Sequence, residues 1–277
     1  MANDFLIDVF EDTRQWYQSD AELIASVKNS IAETRFYKPE EYPDFSREKR
    51  FDTEICVSKK RSFQAAMDIK NRLPQIKIAV QNFASATNAG GGVKSGSRAQ
   101  EESLCRCSTL YPVLNTPELW DKFYQMHRDR HDMRYTDSCI YSPDIKIIKT
   151  DTNSPARMRR EDWFSVDIIT CAAPNLRENN SRFSHHAKTV KLTESELIEL
   201  HKKRMRHMFA IAAANKAEAL VLGAFGCGVF QNPPLTVAKA FKEIVDEFDG
   251  VFKLIEFAVY STPNDSKNHD AFRIIFG

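Results

Sequence analysis

Two adjacent carboxylates, Glu101 and Glu102, follow three consecutive glycines, Gly90-Gly91-Gly92, with Val93 to Ala99 and then Gln100 between them. Glycine tolerates positive φ and lets a ligand approach the bare backbone. A carboxyl beside such a backbone-lined anion site is placed to move protons on whatever the anion carries, and paired carboxylates do glycosidic chemistry. Acids in a first helical turn are equally explained by the macrodipole, so the pair alone leaves both readings open. The glycines weigh on that choice. There are only 9 in 277 residues, where average usage of ~7% would supply about twice as many. Seven of them fall in two short segments, Gly90, Gly91, Gly92 and Gly96, then Gly223, Gly226 and Gly228. An ordinary turn is served by one glycine.

The flanks say which elements must carry these segments. Lys77–Phe83 (KIAVQNF) reads as a strand before the first segment, and Ser97–Leu104 as a helix opening, with Ser97 as N-cap and Gln100 three residues on. Glu218–Leu222 (EALVL) reads as a buried strand before the second, and Pro233-Pro234 followed by LTVAKAFKEIVDEF opens an amphipathic helix. Both clusters therefore sit at strand-to-helix turns. In an α/β sheet these gather at the carboxyl edge, where free N–H groups bind phosphate. Two such loops face to face would suit a diphosphate. Neither matches the P-loop or the dinucleotide fingerprint.

Elsewhere the periodicity predicts helices over 3–18, 20–34, 61–73, 98–110, 117–130 and 194–216, the last opened by the capping box Thr193–Glu196. Strands are predicted over 51–58, 138–149 (broken near Pro143), 164–172, 252–260 and 271–276. The alternation implies an α/β fold with helices on both faces of a mixed sheet. Residues 1–50 read as a helical extension packed on a main domain at 51–277, and 36–50 and 174–190 as mobile stretches.

Composition excludes several classes. The chain is 42% apolar and 28% charged with a formal net charge of +1, which suits a globular domain and not a generic nucleic-acid binder. No run of roughly 18 apolar residues exists to cross a membrane, and the first residues do not read as a signal peptide. The six cysteines form no CxxC pair, so reduced thiols and a cytoplasmic location are expected. No metal site is expected. Cys105 and Cys107 would face different sides of a helix, and His127 and His131 flank Arg128 where a metalloprotease helix carries Glu. That HRDRH run reads as a solvated helix end. The basic run His201–His207 reads as a solvated helix face, and Arg157, Arg159 and Arg160 near Trp163 as an exposed loop.

The triple glycine followed by Gln100-Glu101-Glu102 resembles the GGG…QEE motif of the poly(ADP-ribose) glycohydrolases, enzymes of macrodomain fold. NFASATNAGGG, AQEESLCR and LGAFGCGVFQNPP are similar to the short microbial type in particular, with weaker likeness in YTDSCIYSPDIKII and DIITCAAPN. The resemblance spans about residues 60 to 260. It implies a three-layer α/β/α macrodomain-like sandwich with a mixed sheet. It further implies Glu102 as the catalytic residue, Glu101 as the holder of ribose hydroxyls around the scissile bond, and Gln100 as support for the loop. Asn88 with Gly90, Gly91 and Gly92 would wrap the distal ribose and diphosphate. Gly226, Cys227, Gly228 and Val229 would cradle the diphosphate from the other side, with Phe230 packing on the distal ribose.

The implied partner is ADP-ribose or its polymer attached to proteins, handled by a monomer without cofactor. In that chemistry a protonated Glu102 donates to the leaving ribose oxygen and its conjugate base activates water. This needs a raised pKa, which burial and Glu101 would favour and a helix N-terminus would oppose. Two alternatives stay open: a hydrolase of mono-ADP-ribosyl conjugates on protein or nucleic acid, and a non-catalytic ADP-ribose-binding macrodomain.

Overall fold

The computed structural model describes residues 4–177 and 190–277. The mobility expected for 174–190 falls largely outside these described residues. Two helices, α1 (Asp4–Ser19) and α2 (Ala21–Glu33), precede a seven-stranded sheet. Its strands are β1 (Arg35–Tyr37), β2 (Glu54–Ser58), β3 (Ile78–Phe83), β4 (Cys139–Ile147), β5 (Phe164–Cys171), β6 (Ala219–Leu222) and β7 (Leu254–Ala258). They lie in the order β1-β4-β5-β3-β6-β7-β2. β5, β3, β6, β7 and β2 are parallel, whereas β4 runs antiparallel to β5 and β1 antiparallel to β4. The sheet is mixed, as the alternation implied.

Period-2 alternation sorts the core into two layers. Ile78 and Val80 of β3 point into one cluster, with Phe10, Phe63, Leu104 and Phe123. Ala79 between them points into the other, with Phe209, Phe241 and Phe257. The first layer is covered by α1, α3 (Ser62–Arg72), α4 (Gln100–Cys107) and α5 (Leu110–Leu114). It also takes α6 (Pro117–Leu119), which passes through a wider π-helical stretch, Trp120–Gln125, into α7 (Met126–Arg130). The second is covered by α8 (Glu194–Ala214), α9 (Pro234–Glu247) and α10 (Lys267–Phe276). This is the three-layer α/β/α sandwich.

Several expectations are corrected. Residues 271–276 are not a strand but the end of α10, because Phe272 is buried while Arg273 and Ile274 face solvent, a helical rather than alternating period. Of the stretch 36–50, Phe36 and Tyr37 belong to β1, which pairs with β4 as Phe36 to Ile140. The expected helix 98–110 breaks after Cys107, where Ser108 bridges to Ile147. Its cap is not Ser97: α4 opens after Ala99, and the Ser97 carbonyl accepts a 2.6 Å bond from Arg106. Two predicted details hold: Thr193 and Glu196 form the capping box of α8, and the break near Pro143 is a bulge between Ser142 and Ile145.

The basic run His201–His207 is also less solvated than its sequence suggested. His201, Arg204 and His207 point inward from α8 and are buried. Arg204 donates to Asp137 Oδ1 at 3.0 Å and to the Ala172 carbonyl at 2.8 Å, so the inward cation is paired and hydrogen-bonded. Arg157, Arg159 and Arg160 are exposed, as expected, and Arg157 and Arg160 also grip the N-terminal helices. Arg157 pairs with Asp12 over the Trp16 ring, and Arg160 pairs with Asp20 and Glu22. Lys149, itself buried, adds bonds of 2.7 Å to Asp12 and the Val9 carbonyl. All six cysteines are free. Among the described residues no helix is long and apolar enough to cross a membrane, and no cluster of metal-ligating side chains occurs.

Candidate active site

β3 and β6 are neighbouring parallel strands, paired through Val80 and Val221. The loop after each leaves the same edge of the sheet, so the two glycine segments lie side by side. Between them opens a cleft of about 780 Å³. Asn88, Gly91 and Gly92 line it from the first loop, Glu101 and Glu102 from α4, and Gly226, Gly228, Val229 and Phe230 from the second loop, with Gln100 at the base. Gly90 and Cys227 belong to the same loops but do not line it. Gly90 backs onto Tyr111 and Cys105, and the Cys227 thiol turns toward the Phe225 carbonyl at 3.7 Å. Burial pushes that thiol up to about 12, which leaves it protonated.

The carboxylates are fixed by the chain end they follow. Gln100 accepts from Phe83 N–H at 2.9 Å, and its amide donates to the Gln81 carbonyl at 2.7 Å and Ser62 Oγ at 3.0 Å. It thus splices the start of α4 onto the end of β3. Glu101 is buried. Its Oε2 accepts from Ser85 N–H at 2.7 Å and its Oε1 from Asn82 Nδ2 at 3.3 Å. Burial pushes its carboxyl up to about 8, with the neighbouring Glu102 adding to the rise and the Ser85 amide working against it. Glu102 Oε1 accepts from Gly92 N–H at 2.8 Å. Its Oε2 is buried and has no hydrogen-bond partner among the described residues.

The second loop is held from beneath by Asn232. Its amide donates to the carbonyls of Pro174 at 2.8 Å and Gly226 at 3.0 Å, and its Oδ1 lies 2.9 Å from His201 Nε2. Gly226 has φ +76° and a Cβ there would meet Asn232 Nδ2 at 2.6 Å, so only glycine closes this turn. Nothing lies within 4 Å of where a Cβ on Gly228 would stand. Among the described residues the N–H groups of Gly228, Val229 and Phe230 have no acceptor. Successive free amides with Arg61, Arg98 and Arg177 around the cleft make a surface suited to an anion.

Some site residues were not foreseen. Asn232 was visible only as part of QNPP, an Asn just ahead of a helix-opening proline pair. Asp151, also on the cleft, accepts from Ser103 Oγ at 2.7 Å and Phe63 N–H at 3.2 Å, and so ties the first turn of α4 to α3. Burial raises its carboxyl above the usual range. Nothing around it in sequence announces this.

Comparison with known proteins gives a consistent result. The family model of the microbial-type PARG catalytic domain matches residues 11–150. Poly(ADP-ribose) glycohydrolase from Thermomonospora curvata superimposes with a TM-score of 0.83 at 29% identity, over 99% of this chain and 100% of that one. The same enzyme bound to the inhibitor ADP-HPD gives 0.82 at 30% identity, with the same coverage. The Deinococcus radiodurans enzyme in complex with ADP-ribose gives 0.78 at 33% identity, over 90% of this chain and 96% of that one. Comparison with curated protein sequences returns no match. The chain belongs to the microbial-type poly(ADP-ribose) glycohydrolase family and is a glycosidase of macrodomain-like fold.

Proposed function

We propose that this enzyme hydrolyses the O-glycosidic ribose–ribose bond of ADP-ribose polymers and releases ADP-ribose, with Glu102 as general acid and base. The observation that carries this reading is the asymmetry of the Glu102 carboxyl. Gly92 N–H donates to Oε1, so a proton on this group sits on Oε2, the buried oxygen without a partner. The acid proton that this reading requires is therefore one shared with no described group. Oε2–H passes that proton to the leaving ribose oxygen as the anomeric C–O bond breaks. The carboxylate then takes a proton from the water that adds to the anomeric carbon, which regenerates the acid.

Glu101, protonated near neutral pH because of its burial, puts no negative charge beside the carboxylate that Glu102 becomes on giving up its proton. It keeps an O–H to offer a ribose hydroxyl. The second loop's free amides meet the diphosphate, and Phe230 packs on the distal ribose. All these groups come from one chain, so a monomer suffices, and six free cysteines suit a reducing cytoplasm. Product analysis after incubation with the polymer tests the reading, with free ADP-ribose as the expected product. Release of ADP-ribose from mono-modified protein, with the polymer left intact, would give the function to the other class of hydrolase. In the same way, ADP-ribose should raise the melting temperature by mass action and AMP, which lacks the distal ribose, much less.

A further inference from the structure

The HRDRH run has no part in the chemistry above, yet it touches the first loop from outside the cleft. His127 is buried, with Nδ1 2.8 Å from the Phe123 carbonyl and Nε2 accepting from Thr136 N–H at 3.1 Å. Burial lowers its pKa to about 4, so the ring is neutral and the two contacts set its tautomer: Nδ1–H donates and Nε2 accepts. This pins α7 to the segment that follows it. His127 is thus a structural histidine, while Arg128 to His131 form the exposed helix end the sequence suggested.

From that fixed turn Arg128 reaches back to the first loop. Its Nε donates to the Thr87 carbonyl at 2.9 Å and a terminal nitrogen donates to Asn88 Oδ1 at 2.7 Å. The guanidinium lies over the Trp120 ring at 4.9 Å, and Trp120 is held in turn by a 2.8 Å bond to Asn115 Oδ1. Arg128 makes no ion pair with a carboxylate among the described residues, and it does not line the cleft. A guanidinium has no acceptor, so this contact fixes which way the Asn88 amide is turned. Oδ1 faces Arg128, and Nδ2 gives one hydrogen to Thr87 Oγ1 at 3.3 Å and keeps the other for the cleft that Asn88 lines.

We propose that Arg128 is a positioning residue: it locks the Asn88 amide so that an N–H donor, not a carbonyl, meets an oxygen of the bound ribose or diphosphate. The proposal rests on the cleft being the ADP-ribose site. Because this contact forms with bound ligand as well as in the transition state, losing it should raise KM and leave kcat nearly unchanged.

The test is a double-mutant cycle read by calorimetric ADP-ribose binding, polymer kinetics and melting. Arg128→Met should weaken ADP-ribose binding by about 10-fold, the scale of one hydrogen bond to a charged group, and melt close to the parent. Asn88→Ala should weaken it comparably, and the double variant no further, because Arg128 acts through Asn88. Arg128→Lys, which cannot hold both loop acceptors with one planar fork, should fall between parent and Arg128→Met. Additive losses in the double variant, or normal binding by Arg128→Met, would overturn the proposal. If Asn88→Ala binds normally while Glu102→Gln is inactive, the Arg128 proposal falls and the reading of the cleft stands. If the parent does not bind ADP-ribose, both fall.

Discussion

Gly91 and Glu102 share one space: a Cβ on Gly91 would lie 2.5 Å from Glu102 Oε1 and 3.1 Å from Glu101 Oε2. The next residue, Gly92, donates its N–H to that same Glu102 oxygen. The first loop is therefore both the backbone wall of the cleft and the mould that sets the carboxyl. This gives the glycine run a reason beyond closing a turn.

Gly91→Ala tests this. The clash is with the free end of a side chain, so the carboxyl can move aside and the fold survives. The φ of +56° adds strain of about 1–2 kcal/mol for a residue with a Cβ. A displacement of about 1 Å at the reacting group costs ~100-fold in rate. Polymer hydrolysis should fall by about that factor, while the melting temperature drops by only a few degrees, the scale of ~1 kcal/mol. Full activity in Gly91→Ala would show that the loop does not set Glu102.

Much of this was legible in the sequence because the chain is so sparing with glycine. Gly90–Gly92 and Gly226–Gly228 stand out, and the strands before them carry plain alternation or apolar runs. What the sequence hid depends on distant partners. That Glu101 is held neutral is decided by its burial, which outweighs the opposing amide of Ser85, and neither shows in the letters Gln-Glu-Glu. Arg204 reads as one more basic residue in His201–His207 until Asp137 is found beside it. The run Phe272–Phe276 is too short for its period to separate helix from strand, and packing of Phe272 against Phe241 and Phe257 decides.

The raised carboxyl of Glu101 makes a pH prediction with a definite sign. In the unfolded chain it loses its proton near 4.5, and in the folded one near 8. Between these values the unfolded state binds fewer protons, so stability falls as pH rises, by at most ~1.4 kcal/mol per unit. Outside the window Glu101 adds no slope. Glu101→Gln removes this titration. Its melting temperature relative to the parent should climb between about pH 5 and pH 8 and level off above. A difference that stays constant across that range would mean Glu101 is not held protonated.

Phe230 separates positioning from packing. Its ring is half-buried and 6.0 Å from Tyr135, whereas Phe225, five residues earlier and also on the cleft, is fully buried. Phe230→Ala should cost on the order of 100-fold in turnover with a small change in melting. Phe225→Ala should cost roughly 3–5 kcal/mol of stability. Early unfolding of Phe230→Ala with normal turnover by its folded fraction would assign the ring to the core instead.

The most direct test of the account is Glu102→Gln, measured as polymer hydrolysis and ADP-ribose binding on the same preparation. The amide oxygen can still accept from Gly92 N–H, so the loop keeps its shape, but the group can no longer give and recover a proton. The expected result is a loss of at least ~100-fold in hydrolysis, the scale of a general acid/base, with ADP-ribose bound as tightly as by the parent. Hydrolysis at the parent's rate by Glu102→Gln would contradict it.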